Sequence, residues 1–302
     1  MTQEDQGAGQ ANDLRLREIH SIALAEILTK SGDFDHWIYY DELNALKRRP
    51  LSPLWLESYV MVCAIGRIRP AKVTGFCKKL REKRDKTGDR ALFDQFTGRL
   101  HSYLHPLVLT NHGYREANFQ AVDHDQVWSH VGELVEQLER EGFEVFLNSG
   151  TLLGVTREGA LIGHDDDVDL AVVLDAGSEE EAAAEWLKLR DWLDLHGLCD
   201  KDIQRAPEIH KLTSLGDVEV DLFPAWVQDG RMYVYPHTYG DLNATEVLPL
   251  RECDVTGRKV PKTPEKMLEL NYGSGWQEPD PLFKFPWATA NDKFENFLKA
   301  VQ

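Results

Sequence analysis

The sequence has few cysteines and no cysteine pair spaced for metal or redox chemistry. Its four cysteines, Cys63, Cys77, Cys199 and Cys253, lie far apart and form no CxxC motif. Neither a zinc ribbon nor a thioredoxin-like pair is therefore expected, and four buried free thiols are the simplest interpretation.

A long hydrophobic run is also missing. The longest apolar stretch, at residues 60–65, is far shorter than the roughly 20 residues that span a bilayer. Residues 1–13 are polar and contain no apolar segment of the kind found in a secretory leader. We therefore expect no transmembrane segment and a cytoplasmic location.

Positive charge is the third shortage. The 302 residues include 34 Lys and Arg against 51 Asp and Glu, which gives a formal net charge of −17. Binding to a nucleic-acid backbone comes largely from Lys and Arg, so no nucleic-acid partner is expected. An anionic substrate must instead be met locally, by a metal ion or a few cations. The 42% hydrophobic and 28% charged residues are typical of a globular protein and exclude wholesale disorder, collagen and a disulfide scaffold.

The N-terminal third of the chain has a helical pattern. Residues 1–12 are polar and predict a disordered tail, and apolar residues then recur at three- and four-residue spacing from Asp13. No convincing strand alternation appears before residue 143. We therefore predict a helical domain of unknown role over 13–120, whose later helices lie at 35–48, 53–66, 70–86 and 90–104.

The pattern changes to a mixture of strands and helices over 121–302. A helix is predicted from Asp123 to Arg140, and a capping box, Ser178 with Glu181, begins another. Between and after these helices, short apolar runs predict strands at 143–147, 168–174, 218–223 and 232–235. The fold class is therefore α/β (α+β), with a mixed sheet and flanking helices.

The most informative segment is an acidic run that leads into a strand. Residues two apart in a strand point to the same face, so Asp167 and Asp169 project together while Val168 and Leu170 face the core. Two carboxylates about 4 Å apart repel by roughly 4 kcal/mol at an effective dielectric near 20. A divalent cation such as Mg²⁺ would offset that repulsion.

A second strand supplies a further carboxylate. In the VEVDLF segment, Glu219 and Asp221 share one face. If this strand lies beside 168–174, Asp221 can join a metal site or act as a general base. An acidic, solvent-facing rim is the alternative. An EF-hand loop is rejected, because Leu170 and Ala176 occupy its glycine and bidentate glutamate positions.

Four further residues are candidate phosphate contacts. Gly150 and Thr151 form a small-residue turn between a strand and a short helix, where backbone N–H groups favour phosphate. Arg157 follows one or two helical turns later and can offer a bidentate guanidinium. Lys211, just before the third strand, is placed to reach a donor phosphate.

These motifs together resemble a known family. The segments SGTLLGVTREGALIGHDDDVDLAV, VEVDLFPAW and VPKTPEKMLELNYGSGW are similar to those of the LicD family of phosphotransferases, which includes the fukutin-related proteins. The resemblance covers roughly residues 121–290 and implies a nucleotidyltransferase-like fold. His164 departs from the pattern, since a Trp is common at that position.

The resemblance implies an activity and a set of site residues. The activity is transfer of a phosphorylated group, such as phosphocholine or an alditol phosphate, from a CDP-linked donor to a glycan hydroxyl with Mg²⁺ or Mn²⁺. The implied metal ligands are Asp165, Asp167 and Asp169. The implied catalytic residues are Asp167, Asp169 and Asp221. The implied substrate-binding residues are Gly150, Thr151 and Arg157, to which position alone adds Lys211.

Two other functions remain open. One is a nucleotidyltransferase that adds a nucleoside monophosphate to a small hydroxyl substrate and releases pyrophosphate. The other is a non-catalytic scaffold that binds a glycan or a partner. Residues 67–99 contain eleven Lys and Arg against four acids, which allows weak association with an anionic polymer or a membrane surface. A solvated helix face is the alternative for that segment.

Overall fold

The computed structural model describes residues 3–109, 113–116, 119, 122–165, 167–199, 207–212, 218–280 and 282–302. The chain divides into two compact units. Unit 1 consists of Met1–Glu116 with Pro281–Lys284, and unit 2 of Ala117–Asp280 with Phe285–Gln302. The sequence predicted the boundary between residues 120 and 121, which is four residues after the observed boundary between 116 and 117.

Unit 1 is helical apart from one hairpin. Helix α3 is the most deeply buried, with Trp55, Leu56 and Tyr59 in the core, because its sequence is apolar on almost every side. Ser52 caps its first turn by accepting the Trp55 N–H. The helices are α1 (Gln3–Thr29), α2 (His36–Ala45), α3 (Pro53–Ile65), α4 (Pro70–Thr87) and α5 (Arg90–Leu104).

Two features of unit 1 differ from the sequence-based expectation. Helix α1 begins at Gln3 rather than near Asp13, so its first turns lie in the segment expected to be a tail. A short antiparallel hairpin follows α5, formed by β1 (Leu107–Leu109) and β2 (Tyr114–Glu116). Strands of three residues are too short to show an alternating pattern, which is why the sequence predicted no strand there.

Unit 2 is built on a six-stranded sheet, whose predicted mixed character is confirmed, although the sequence predicted only four of its strands. The strand order is β3-β4-β6-β7-β8, and β5 pairs with β6 as well. Strand β4 runs antiparallel to β3 and parallel to β6. The strands are β3 (Glu144–Leu147), β4 (Asp167–Val173), β5 (His210–Lys211), β6 (Glu219–Gln228), β7 (Arg231–Val234) and β8 (Thr238–Asn243).

Helices flank this sheet and connect its strands. The parallel pairing of β4 and β6 requires a crossover, which contains α8. Ser178 caps α8 by accepting the Glu181 N–H, so the predicted N-terminus is confirmed. The helices are α6 (His124–Arg140), α7 (Ser149–Arg157), α8 (Glu179–Leu195), α9 (Ala244–Val247), α10 (Pro264–Tyr272), α11 (Trp287–Lys293) and α12 (Glu295–Ala300). Arg251–Glu252 (β9) and Lys259–Val260 (β10) form a separate two-stranded sheet.

Each unit has its own apolar core. In unit 2 the core includes both faces of β4, where Val168, Leu170 and Ala171 are fully buried. Within the described ranges, no helix combines the length and the apolar character needed to span a membrane.

Candidate active site

Strand β4 presents two of the predicted acids. Asp167 and Asp169 stand two residues apart in a regular strand, so both carboxylates project from one face, as the sequence predicted. Asp169 is only 9% exposed. A carboxylate this deeply buried needs hydrogen bonds or neighbouring charges that compensate for lost hydration.

Strand β6 brings the third acid beside the second. In the parallel register, Asp169 is the partner of Asp221 and Asp167 is the partner of Glu219. Register partners on adjacent strands face the same side of a sheet, so the two buried aspartates are neighbours. The sequence-based condition that the second acidic strand should lie beside β4 is therefore met.

Strand β5 brings Lys211 to Asp221. The two residues are partners in an antiparallel pair, and the Lys211 ammonium donates to Asp221 Oδ1 at 3.1 Å and Oδ2 at 2.8 Å. Lys211 is thus an ion-pair partner of Asp221 in this structure.

The glycine turn holds Asp169 in place. The Gly150 N–H donates to Asp169 Oδ2 at 2.8 Å, and the Asp169 N–H donates to Thr151 Oγ1 at 2.9 Å. Both groups predicted to contact phosphate are therefore engaged with Asp169. Because the Gly150 amide lies in the first turn of α7, the helix dipole also favours negative charge there.

Gly150 also sets the spacing of two carboxylates. A Cβ atom at this position would lie 2.9 Å from Asp165 Oδ2 and 3.3 Å from Asp169 Oδ2. Asp165 and Asp169 consequently border the same backbone position, and any side chain at residue 150 would push them away.

Ser149, directly before this glycine, has a left-handed backbone conformation. Its φ of 44° is uncommon for a residue with a side chain, and such strain concentrates at functional sites. Its hydroxyl lies 3.5 Å from Nδ1 of His237, whose ring packs against Phe285. No sequence pattern indicated His237, which follows β7 and is brought to the glycine turn by the tertiary fold.

The acids form a buried, interacting group. Burial is the main factor that raises the pKa of Asp167, Asp169 and Asp221. The pKa of Asp167 is raised to about 6, and the charges of Asp221 and Asp165 add to the effect of burial. The pKa of Asp169 is raised further, by burial and then by the charges of Asp167, Asp221 and Asp165. Burial also raises the pKa of Asp221, although Lys211 opposes this rise.

Asp165 belongs to this group as well. Burial raises its pKa, while the charges of His164 and Arg157 act in the opposite direction. We call Asp165, Asp167, Asp169 and Asp221 the acidic cluster.

Arg157 lies at the end of α7 and is paired. Its Nη2 donates to Glu158 Oε1 at 2.5 Å, and its Nη1 lies 3.5 Å from the Trp276 carbonyl oxygen. The side chain is 11% exposed. Its charge lowers the pKa of Asp165, so Arg157 acts on the acidic cluster electrostatically.

The C-terminal motif forms another side of the site. Tyr272 ends α10, and burial followed by the charges of Asp169 and Asp165 raises the pKa of its hydroxyl. The Tyr272 ring lies 6.3 Å from that of His237. Trp276 is buried and packs in the apolar core of unit 2.

The chemistry of the acidic cluster fits a divalent cation. Carboxylate oxygens are the ligands that Mg²⁺ and Mn²⁺ prefer, and these acids are close enough to raise one another's pKa. Across the described part of the chain, however, no three His, Cys, Asp or Glu side chains are already arranged as a metal-binding group. Side-chain rotation would therefore have to draw the carboxylates together around an ion.

Comparison with known families agrees with this geometry. Residues 142–264 match the family model described as LicD/FKTN/FKRP, nucleotidyltransferase domain. Residues 142–264 belong to the LicD family. The LicD domain contains every site residue predicted from the sequence, and Tyr272 and Trp276 lie beyond it. No curated protein matches the chain.

Membership of this family supports a transferase activity, of the general phosphotransferase type that acts on glycans. Within the LicD domain, Asn148 is a second polar residue, after His237, that sequence reasoning missed. It is fully buried at the start of α7, its backbone N–H donates to the Asp169 carbonyl, and its amide side chain has no hydrogen-bond partner among the described residues. An asparagine between an apolar strand and a glycine turn has no distinguishing sequence signal.

Proposed function

We propose that this protein transfers a phosphorylated small group from a CDP-linked donor to a glycan hydroxyl. The observation that carries the proposal is the register that places Asp169 beside Asp221, with Asp165 and Asp167 in the same buried group. A LicD domain at these positions supports this chemistry over a structural role for the acids.

Asp165, Asp167 and Asp169 are the residues that would hold Mg²⁺ or Mn²⁺. When bound, such an ion neutralises charge on a diphosphate and polarises its phosphorus–oxygen bonds. Asp169 is fixed for this task by the Gly150 amide and the Thr151 hydroxyl. The glycine turn is therefore assigned to positioning Asp169, and direct contact of Gly150 with phosphate would require that hydrogen bond to break.

Asp221 is the proposed general base. The acceptor hydroxyl gives its proton to Asp221 while its oxygen forms a bond to the donor phosphorus nearest the small group. The bond from that phosphorus to the CMP oxygen breaks, and CMP leaves. Burial raises the pKa of Asp221 and makes the carboxylate a stronger base, and Lys211 keeps it ionised before the reaction.

Arg157 and Lys211 are the cations available to the donor phosphates. Arg157 is held by Glu158 and Lys211 by Asp221, so each would share its charge with a bound diphosphate. Catalysis of phosphoryl transfer depends mainly on positioning and charge neutralisation, which such a fixed set of charges supplies.

The test is to identify the nucleotide released. The purified protein is incubated with Mg²⁺, a panel of CDP-linked donors and glycan acceptors, and the products are separated by anion-exchange chromatography. Release of CMP, dependent on both acceptor and Asp169, is the expected result. Release of pyrophosphate from a nucleoside triphosphate would instead establish the nucleotidyltransferase, and no turnover of either donor class would support a non-catalytic scaffold.

A further inference from the structure

The two units carry charge of opposite sign. Unit 1 contains 19 Lys and Arg against 15 Asp and Glu, a net charge of +4. Unit 2 contains 15 against 36, a net charge of −21. The excess positive charge is concentrated on α4, which has seven Lys and Arg against two acids.

Four lysines of α4 form a straight row along the helix. Lys72, Lys79, Lys83 and Lys86 are separated by seven, four and three residues, spacings that place them along one strip of a helix. All four are exposed or partly exposed. At 1.5 Å per residue this lysine row extends about 21 Å.

Within the part of the chain that the structure describes, no salt bridge neutralises the charges of the lysine row. Among the described residues, none of these four ammonium groups has a carboxylate within salt-bridge distance, and the Lys79 ammonium lies over the Phe76 ring. Neighbouring charges on the same helix are paired, Arg84 with Glu57 and Asp85 with Arg90. The lysine row is therefore available to an external anion.

A glycine interrupts the lysine row. Gly75 lies between Lys72 and Lys79 on the same strip, and a Cβ atom there would meet no described residue within 4 Å. Glycine in an exposed helix interior lowers helix stability relative to alanine, and no packing contact requires it here. Its effect is to leave the helix backbone open to a close approach in the middle of the row.

The shape of this surface favours a narrow partner over a bilayer. The apolar face of α4, with Val73, Cys77 and Leu80, is buried in the core of unit 1. The helix therefore has no free apolar face to insert into lipid, as membrane-surface helices do. A single polymer strand, by contrast, can follow a strip one helix wide.

We propose that the lysine row binds an anionic glycan polymer whose charges are phosphodiesters. This inference rests on the proposed function, because each transfer to a glycan hydroxyl leaves one phosphodiester, and one negative charge, on the modified unit. An alditol phosphate head group leaves that charge exposed, whereas phosphocholine adds a compensating cation that lysines would repel. The lysine row thus favours an alditol phosphate, in which the alditol itself carries no charge, as the transferred group.

Direct binding tests this inference without turnover. The probe is a fluorescent oligo(glycerol phosphate) of about ten units, titrated with the full-length protein and followed by anisotropy. The combined variant Lys79→Gln, Lys83→Gln, Lys86→Gln should bind at least tenfold more weakly at about 50 mM salt. Roughly 0.7 counterions are released per neutralised charge, so the slope of log affinity against log salt concentration should be shallower by about two in this variant.

A charge-matched variant controls for the loss of positive charge. Arg17→Gln, Arg48→Gln, Arg49→Gln removes the same charge from exposed positions of unit 1 and should change the affinity by less than twofold. Asp169→Asn should bind the oligomer normally. Binding to the lysine row can therefore be tested separately from the proposed transfer reaction. Equal weakening by both triple variants, or tighter binding to a phosphocholine-bearing oligomer, a DNA duplex or anionic vesicles, would overturn the proposal.

Discussion

Gly150 is the residue at which the acidic cluster is most sensitive to added volume. Substitution Gly150→Ala places a methyl group 2.9 Å from Asp165 Oδ2, closer than real Cβ atoms approach an oxygen. We expect transfer activity to fall at least a hundredfold, because displacement of a catalytic group by about 1 Å has that effect. Steady-state kinetics measure the loss.

Gly177→Ala is the matched control for this substitution. A Cβ there would lie 3.5 Å from Glu181 Oε2, an ordinary contact, on the loop after β4. Activity should be close to that of the unmodified protein. If Gly150→Ala were as active as Gly177→Ala, the assigned spacing of Asp165 and Asp169 would be wrong.

Asp169 is the residue whose charge the proposed reaction needs most. Asp169→Asn keeps an oxygen that can accept from the Gly150 N–H but removes the charge. We expect turnover to fall about a thousandfold or more, as when a preorganised electrostatic group is lost. The melting temperature should not decrease, because a buried charge near three other carboxylates has been removed. Exposed Asp175, changed to Asn, serves as the control, and an Asp169→Asn enzyme of near-normal turnover would remove this residue from the mechanism.

Helix α4 offers a test of local stability that is separate from its binding role. Gly75→Ala adds a methyl group with no neighbour within 4 Å in the interior of an 18-residue helix. The free energy of unfolding should rise by about 1 kcal/mol, the difference in helix propensity between the two residues. Urea denaturation measures the change.

Gly66→Ala provides the contrast at the end of α3. A Cβ at residue 66 would clash with Cδ2 of the His36 ring, so this substitution should destabilise unit 1. Similar effects of the two substitutions would mean that helix propensity does not control the stability of α4.

Strand β5 carries a buried histidine that makes stability depend on pH. His210 stacks on Trp186 at 3.9 Å, and burial lowers its pKa to about 4 from 6.5. Between those values the unfolded chain binds a proton that the folded chain does not, so stability falls as the pH drops from 6.5 to 4. The contribution lost is about 3 kcal/mol, at 1.36 kcal/mol per pKa unit.

The His210→Gln variant isolates this effect. Its loss of unfolding free energy between pH 7 and pH 4 should be smaller than that of the unmodified protein by about 3 kcal/mol. Urea titrations followed by tryptophan fluorescence at both pH values give the difference. His196→Gln, at an exposed position, should leave the pH dependence unchanged, and an equal response of both variants would exclude His210 as the cause.

The sequence predicted these elements well where a periodic pattern is long. Helix α3 and helix α5 lie within one residue of their predicted bounds, because Pro53 begins the first and Gly88 separates the second from α4. The common face of Asp167 and Asp169 followed from strand geometry alone. The hairpin at 107–116 was missed because three-residue strands carry no periodic signal.

Contacts between distant segments were less accessible from the sequence. That Asp221 faces Asp169 depends on the register of a parallel pair separated by a helical crossover, which local patterns do not determine. The pairing of Lys211 with Asp221 depends on a two-residue strand. The left-handed Ser149 and its neighbour His237 arise from packing, so no local rule indicates them.

At the scale of the molecule, the charge distribution predicts a response to metal ions. Unit 2 has a net charge of −21 and buries the acidic cluster, so a divalent cation bound there should stabilise it. At a Mg²⁺ concentration one hundred times the dissociation constant, the gain is about 2.7 kcal/mol. Differential scanning calorimetry should show a higher melting temperature that EDTA reverses.

Two controls make this prediction specific. Sodium chloride at the same ionic strength screens surface charge without supplying a divalent ion, and should raise the melting temperature less than Mg²⁺ does. Asp169→Asn should respond to Mg²⁺ no more than to sodium chloride. If this variant responded like the unmodified protein, the stabilising ions would be bound outside the acidic cluster.

The parallel pairing of β4 with β6 also has a consequence for biosynthesis. Asp169 is translated 52 residues before Asp221, and the crossover between them must fold before the two strands can pair. A nascent chain that has released only β4 from the ribosome therefore cannot possess a working centre. The proposed transfer activity is therefore expected only after β6 has been synthesised.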